Sequence, residues 1–148
     1  MSKNKEFSIT SAERYSLALY ELANEKNVLS QVEDQSLSIL NLILSSKDFS
    51  NLIKNPTKKQ DDLLKVINGI SDNNKFESLL KSFLSFLITK RRFFYVEQIL
   101  KSFIETCSKK RGELKAELKS AKELSGVEIS KITDELTKNF SSKIKLNY

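Results

Sequence analysis

The chain has 148 residues, of which 39% are hydrophobic and 30% charged, a balance that suits one ordinary domain with a buried core. Its single cysteine and its lack of histidine exclude an internal disulfide, the usual zinc sites and every histidine-dependent catalytic triad. The net charge of +6 permits binding to acidic surfaces without establishing it.

Three glycines and one proline in the whole chain predict long, uninterrupted helices rather than an all-β fold rich in turns. The N-terminal segment MSKNKEFSITSAERY has no apolar core of the kind found in secretory signals. No run of about 18 apolar residues is present, so we expect no membrane-spanning helix. Together with the lone cysteine, these features fit a reducing, intracellular compartment.

The first predicted helix begins at about residue 11, where residues 10–13 have the T-x-x-E form of a capping box. A second helix is expected over residues 30–45, where apolar side chains recur at helical spacing. A short apolar segment, residues 49–53, should stop at Asn55, because a residue that precedes proline avoids the helical region.

Three further helices are predicted before residue 112. Residues 57–60 have the form of a second capping box, and the helix that it opens should end near Gly69. The next helix is expected over residues 75–89, and the last begins near Val96 and is closed by Gly112. Six helices joined by short connections predict a compact, all-α bundle.

The pattern changes after the sixth helix. Residues 113–120 alternate between apolar and polar side chains, which indicates a strand, although Leu114 and Leu118 also fit an i, i+4 helix pair. Residues 125–128 form a third capping box ahead of an apolar helical stripe. The final residues, 144–148, alternate again, so we predict a β-α-β arrangement with one helix covering a very small sheet.

The chain is therefore predicted to be mainly α, with a six-helix bundle over residues 1–112 and a small, incomplete α/β domain over residues 113–148. Two strands and one helix are marginal as a free-standing unit, and a chain seldom ends inside a strand. We therefore expect the sequence to be a C-terminally truncated version of a longer one.

Enzyme chemistry finds little support in the sequence. It contains no G-x-G-x-x-G, G-x-x-x-x-G-K-[ST] or G-x-S-x-G motif. Cys107 follows Phe103 at i+4 on an apolar helical stripe, which favours a packed core thiol over a nucleophile. Adjacent carboxylates such as Asp61 and Asp62 project to different sides of a helix and are expected to be solvated. We therefore predict no catalytic, cofactor-binding or metal-binding residues.

Two basic runs, residues 90–92 and 109–111, leave a basic helical nucleic-acid-binding protein as the alternative function. With Phe93, Phe94 and Tyr95, the first run could form a surface on which bases stack. Each run also lies at a predicted helix C-terminus, where cations complement the macrodipole. The pattern favours this second interpretation, because the positive charge is spread along the chain.

Two helices carry more apolar surface than a single core contact requires, which is a stripe of about 100°. On the first helix, one broad stripe contains Tyr15, Ala18, Leu19, Leu22 and Ala23. On the fifth, apolar side chains within residues 76–88 cover more than half of the circumference. Either both helices are central in the bundle, or a groove between them accepts an amphipathic helix from a partner. The pattern alone leaves both possibilities open.

Several motifs occur in the order and spacing of a known family. They are RYSLALYELA near the start, LIKNP at residues 52–56, LITKRRFFYVEQIL at residues 87–100, and then ELKAELKSAKELS and the closing SSKIKLNY. The chain resembles the delta subunit of F-type ATP synthases, the bacterial relative of the mitochondrial oligomycin-sensitivity-conferring protein. The ordered set covers essentially the whole chain.

The resemblance implies a six-helix N-terminal domain, a smaller α/β domain and a non-catalytic role without cofactors. In the family, this subunit ties the catalytic head to the peripheral stalk, so that the head does not turn with the rotor. An N-terminal helix of an alpha subunit docks between the first and fifth helices, and the C-terminal domain meets the b subunit of the stalk. The resemblance implies no nucleic-acid partner, and membrane association only through the complex, at the cytoplasmic face of the bacterial inner membrane.

Carried onto this sequence, the resemblance implies eight partner-binding residues. They are Tyr15, Ala18, Leu19 and Leu22 on the first helix, and Leu79, Ser82, Phe83 and Phe86 on the fifth. Leu19 is expected to border both the groove and the core. Leu17 and Tyr20, on the other side of the first helix, then become the candidates for the core of the bundle.

The chain departs from the family pattern in two places. Arg91-Arg92 stands where the family commonly has Gly-Arg after the fifth helix, so we expect a less sharp turn there. Relatives continue past the strand that resembles KIKLNY into a glycine-containing stretch and a terminal helix. The absence of this segment bears on binding to the stalk, whereas docking to the head should survive.

Overall fold

A computed structural model of the protein describes residues 2–140 and 144–147, with the backbone alone described for residues 2–10, 114–117, 140 and 145–147. The chain divides into two compact units, Met1–Thr106 and Cys107–Tyr148. The prediction of a mainly helical protein is confirmed, because helices account for most of the described residues.

Seven α-helices and two strands occur in the described part of the chain. The helices are α1 (Ser2–Glu25), α2 (Leu29–Ser45), α3 (Lys47–Lys54), α4 (Gln60–Asn73), α5 (Ser78–Thr89), α6 (Val96–Lys110) and α7 (Gly126–Phe140). A single 3₁₀ turn, Phe93–Tyr95, precedes α6, and the strands are β1 (Leu114–Glu117) and β2 (Ile144–Asn147). Tyr148, which the sequence placed in the last strand, lies outside the described residues.

The first helix begins earlier than predicted. The expected start at residue 11 is wrong, because α1 already runs from Ser2 and Thr10 lies inside it. Residues 2–25 contain neither glycine nor proline, so nothing in the chain interrupts the helix. The next two helices agree with the prediction, and α3 ends at Lys54 with Asn55 in an extended conformation before Pro56.

The capping box predicted at residues 57–60 is wrong. Thr57 donates from its backbone N–H and its hydroxyl to Asn55 Oδ1, at 3.0 and 2.7 Å, and so stabilises the turn around Pro56. The N-cap position of α4 belongs to Lys59, which makes no side-chain capping bond. The helix also continues past Gly69, because one glycine costs only about 1 kcal/mol in a helix.

The fifth helix begins later than predicted. It starts at Ser78 and not at residue 75, because Lys75 has a φ of 51° and lies in the left-handed region. The chain therefore turns between α4 and α5. The sixth helix agrees with the prediction, and Gly112, with a φ of 71°, follows its C-terminus.

The core of the first unit is formed mainly by one face of each helix. Helix α1 packs against α2 and α5, α4 packs against α5, and α2 packs against α3. Burying each large apolar side chain stabilises the fold by about 1.5–3 kcal/mol. The largest fully buried side chains of this unit are Phe103, Leu19, Leu80, Leu84, Leu87, Ile88, Ile99, Leu100, Val32 and Val96.

Helix α5 is hydrogen-bonded at both ends to glutamine side chains of neighbouring helices. At its start, Gln35 Oε1 of α2 accepts the backbone N–H of Glu77 at 2.8 Å. At its end, Gln60 Nε2 of α4 donates to the carbonyl oxygens of Ile88 and Thr89, at 3.2 and 3.3 Å. These bonds engage backbone groups at both termini of α5 and connect the helix to α2 and α4.

The second unit contains the two strands and α7. Strands β1 and β2 pair in parallel, with Leu114 opposite Ile144, and α7 lies between them along the chain. The third predicted capping box is confirmed, since the Ser125 N–H donates to Glu128 Oε2 at 2.8 Å and the Glu128 N–H donates to Ser125 Oγ at 3.3 Å. The Ser125 hydroxyl also donates to Glu128 Oε2, at 3.0 Å. The two bonds that the carboxylate accepts hold the pKa of Glu128 below its ordinary value, and the backbone N–H of Ser125 contributes most. Cys107 is buried, as predicted.

Candidate docking groove

An open groove with a volume of about 720 Å³ lies between α1 and α5 in the first unit, and we call it the apolar groove. Most of its lining is aromatic or aliphatic, which is the surface that an amphipathic helix needs for its apolar stripe. It is lined by Ser11, Arg14, Tyr15, Ala18, Leu22, Leu79, Ser82, Phe83, Phe86 and Arg92.

Seven of the eight predicted partner-binding residues line this groove, and the exception is Leu19. Leu19 is fully buried, so it supports the groove from within the core and does not border it. The structure thus brings the other seven side chains together, and their role in binding stays a prediction.

The broad apolar stripe of α1 is shared between two neighbouring faces. Residues 12, 16, 19 and 23 are buried, whereas residues 11, 15, 18 and 22 line the groove. At about 100° per residue, these two rows lie side by side on the helix. The prediction that Leu17 belongs to the core is wrong, because Leu17 is 44% exposed on a third face, and Tyr20 is only half-buried.

The α5 wall of the groove combines a buried base with an exposed rim. Phe83 is 8% exposed and belongs to the core as well as to the groove. Phe86 is 45% exposed, and its ring lies 6.2 Å from that of Tyr15, with 60° between the ring planes. Lys90 Nζ lies 5.9 Å from the centre of the Phe86 ring, within the range of a cation–π contact. The two aromatic rings therefore connect the walls of the groove at its surface.

Three lining residues were missed by the sequence analysis. Ser11 and Arg14 lie on the same face of α1 as Tyr15, so the helical period could have identified them. Arg92 lies beyond the end of α5, and no helical pattern points to it. The two charged side chains in the lining, Arg14 and Arg92, are both cations, so the rim of the groove is complementary to negative charge.

The turn after α5 is sharp, in contrast to the expectation for Arg91-Arg92. Arg91 has a φ of 56°, the left-handed conformation that glycine adopts most easily. The backbone N–H groups of Arg91 and Arg92 donate to the carbonyl oxygens of Ile88 and Leu87, at 3.0 and 2.7 Å. These are bonds of a Schellman-type helix end, and they carry Arg92 back to the groove.

A family model described as "ATP synthase delta (OSCP) subunit" matches residues 12–148 of the chain. The chain belongs to this family. It is thereby a component of the peripheral stalk, the stator, of F-type ATP synthase. The prediction made from the motif order is confirmed.

Individual members of the delta (OSCP) family are similar over nearly the whole chain. The ATP synthase subunit delta of Pelagibacter ubique is 66% identical over all 148 residues, which cover 80% of that protein. The subunit delta of Rhodospirillum rubrum is 30% identical over 147 residues, 99% of this chain and 79% of that protein. A chain in the cryo-EM structure of the Toxoplasma gondii mitochondrial ATP synthase hexamer shares the fold, with a TM-score of 0.76, 23% identity and coverage of 93% of this chain and 77% of that chain.

Three further features concern metal binding, membrane crossing and the second basic run. Among the described residues, no group of three or more His, Cys, Asp or Glu side chains could hold a metal ion. None of the described helices is long and apolar enough to cross a membrane. The basic run at residues 109–111 lies at the end of α6, where Lys109 and Lys110 complement the helix dipole and Arg111 pairs with Glu113 at 2.9 Å.

Proposed function

We propose that the chain is a non-catalytic link of the stator, and that residues 1–112 dock on the catalytic head. In this proposal the apolar groove takes up the N-terminal helix of an alpha subunit, with Tyr15, Ala18, Leu22, Leu79, Ser82, Phe83 and Phe86 in contact with it. Leu19 then acts as a core residue that positions its neighbours. Such a link needs large apolar contacts that resist torque and no reactive groups.

The observation that carries this proposal is that seven of the residues implied by the family resemblance line one groove. Two of them, Leu22 and Phe86, are large apolar side chains that remain 43% and 45% exposed in the isolated chain. A contiguous exposed apolar surface of this kind indicates an interaction site. A partner helix that covers it would bury both side chains.

We further propose that residues 113–148 form part of a small α/β domain that faces the b subunit of the peripheral stalk. The parallel pairing of β1 with β2 and the position of α7 between them along the chain support this assignment. The protein would then reach the cytoplasmic face of the bacterial inner membrane through its complex.

Isolation of the intact complex through a tagged copy of the chain tests the proposal directly. We expect the alpha subunits and the b subunit to be recovered with the wild-type chain. A tagged Phe86→Asp variant should lose the alpha subunits, whereas a tagged Leu44→Asp variant, changed at an exposed leucine of α2 outside the groove, should retain them. Recovery of the alpha subunits with both variants would contradict the assignment of the groove.

A salt titration separates this function from nucleic-acid binding. Electrostatic binding to duplex DNA gives a steep dependence of affinity on salt and measurable binding at low salt. We expect weak or no binding to DNA at any salt concentration. Tight binding at low salt would favour the alternative function.

A further inference from the structure

A second groove lies in the first unit, where the loop after α3 faces the turn after α5. Its volume is about 790 Å³, it is lined mainly by residues 55–61 and 91–95, and we call it the basic groove. Four cationic side chains line it, namely Lys58, Lys59, Arg91 and Arg92, against the single carboxylate of Asp61. A concave surface with such an excess of cations attracts anionic groups.

These four cations are available for binding. Lys58, Lys59, Arg91 and Arg92 are all exposed, and within the described residues none of their side chains forms a hydrogen bond or an ion pair. Other exposed cations, such as Lys81 and Lys101, do pair with carboxylates, at 2.6 and 2.8 Å. The basic groove therefore concentrates positive charge that no ion pair among the described residues neutralises.

The backbone of the basic groove is held in place without a partner. Gln60 joins the start of α4 to the end of α5 through its bonds to Ile88 and Thr89. The hydroxyl of Thr57 fixes the loop on one side, and the left-handed conformation of Arg91 fixes the turn on the other. A site whose walls are already ordered loses little conformational entropy when it binds.

An aromatic pair provides an apolar contact beside the charges. The Phe94 ring is 54% exposed and lies 5.5 Å from the Tyr95 ring in an edge-to-face arrangement. Both residues line the basic groove. The groove thus suits a segment that combines carboxylates with an apolar side chain, and not a free inorganic anion.

The two grooves meet at one residue, because Arg92 lines both of them. A segment that leaves the apolar groove at this end enters the basic groove next. We propose that the basic groove binds an acidic peptide segment that continues from the helix held in the apolar groove. This inference rests on the proposed function, and it makes the partner bipartite, with an apolar helix followed or preceded by a stretch rich in Asp and Glu.

A peptide fits these observations better than a nucleic acid. A nucleic acid would use the cations and the Phe94 ring, but it would make no use of the adjoining apolar surface at Leu22 and Phe86. The carboxylate of Asp61 in the groove wall also opposes a continuous phosphate backbone. An acidic peptide can place its few carboxylates against the four cations and avoid Asp61.

The test compares peptides that differ only in a short tail. The parent peptide covers the N-terminal helix of the alpha subunit of the same ATP synthase, and it carries a tail of Asp and Glu or a matching tail of Asn and Gln. Each tail is placed at the N-terminus in one peptide and at the C-terminus in another, so that both directions of the helix in the apolar groove are tested. Calorimetry on the full chain gives a dissociation constant for each of the four peptides at low salt and again at high salt.

We expect the acidic tail at one end to tighten binding about tenfold or more over the neutral tail, because the two parts bind together. High salt should remove this gain. The gain should also disappear in a triple variant with Lys58→Gln, Lys59→Gln and Arg91→Gly. Glycine is used at position 91 because it suits the left-handed conformation of that residue. A Lys26→Gln, Lys47→Gln, Lys65→Gln variant loses the same charge at exposed positions outside both grooves and should keep the gain.

The outcomes separate this inference from the proposed function. Equal binding of acidic and neutral tails, with the parent helix still bound, would overturn the inference and leave the apolar groove in place. Failure of every peptide to bind would overturn both. The inference alone would be overturned if the acidic tail still tightened binding after residues 58, 59 and 91 were changed. It would also be overturned if the control variant lost this tightening. Displacement of the acidic tail by oligothymidylate, lost in the same variant, would assign the basic groove to nucleic acid and overturn it as well.

Discussion

Replacement of Phe86 by aspartate should abolish most of the binding to the alpha-subunit helix while the bundle stays folded. Phe86 is 45% exposed, so an aspartate there can remain hydrated in the free protein. Lys90, one helical turn away, lies close enough to pair with the new carboxylate. The free chain loses the contact between the Phe86 and Tyr15 rings, worth about 0.5–1.5 kcal/mol, and the cation–π contact with Lys90, worth about 0.5–1 kcal/mol.

The expected loss of affinity follows from the exposed area of the ring. A phenylalanine has about 200 Å² of surface, of which the exposed 45% is about 90 Å². At about 25 cal/mol per Å², covering this area contributes about 2 kcal/mol, so Phe86→Ala should weaken binding roughly 30- to 50-fold. A carboxylate in the interface adds a desolvation cost, so Phe86→Asp should cost about 4 kcal/mol, or roughly a thousandfold.

Isothermal titration calorimetry with a peptide that covers the alpha-subunit N-terminal helix measures these changes. Circular dichroism of each variant establishes that it is folded, and Leu44→Asp serves as the control, because Leu44 is 77% exposed and lies outside the groove. Unchanged affinity of a folded Phe86→Asp variant would refute the groove assignment. An equal loss in Leu44→Asp would show that added negative charge, and not the groove, determines affinity.

Three further changes test the packing and the capping described above. Leu19→Ala, at a fully buried position beneath the apolar groove, should lower the free energy of unfolding in urea by about 3 kcal/mol, whereas Leu17→Ala at an exposed position should cost at most about 0.5 kcal/mol. Ser71→Ala should leave the protein equally stable or up to about 1 kcal/mol more stable in the same measurement, because the buried Ser71 hydroxyl has no hydrogen-bond partner among the described residues; a clear loss would contradict this. Because the bonds from Ser125 lower the pKa of Glu128, its carboxylate stabilises α7 above the ordinary pKa of glutamate, and this contribution is lost as the pH falls through the lowered value. The α7 amides should therefore exchange more slowly in the wild type than in Glu128→Gln near neutral pH, and at equal rates in acid. A difference that persists in acid would show that the charge of Glu128 is not its cause.

The helices were predictable wherever apolar periodicity and a local stop signal agreed. Asn55-Pro56 and Gly112 ended their helices as expected, because each acts through its own backbone conformation. The capping box at residues 57–60 failed because Thr57 bonds backward to Asn55, and Gln60 bonds to α5. The Thr57 bond is local, but the partners of Gln60 lie 28 and 29 residues away and approach it only in the fold, so a local pattern could not reveal them.

The candidate groove was predictable because the family resemblance indicated which apolar residues of α1 and α5 face a partner, and the helical periodicity alone did not. Periodicity showed that α1 has a broad apolar stripe, but it could not divide the stripe into the row that contains Leu19 and the row that contains Tyr15. Once the resemblance assigned the Tyr15 row to a partner, Leu17 became a candidate for the core, because an exposed leucine has the same sequence signature as a buried one. Arg92 was missed because its position depends on the left-handed conformation of Arg91, which the arginine itself does not signal.

The glutamine bonds at the two ends of α5 bear on how the protein carries mechanical load. A partner helix seated against α5 and placed under torque would pull on α5 both along and across its axis. The bond from Gln35 passes part of this force to α2, and the bonds from Gln60 pass part of it to α4. Tension on α5 would thus be shared among three helices. The bonds at the two ends of one helix therefore also connect the α5 wall of the groove to the rest of the bundle.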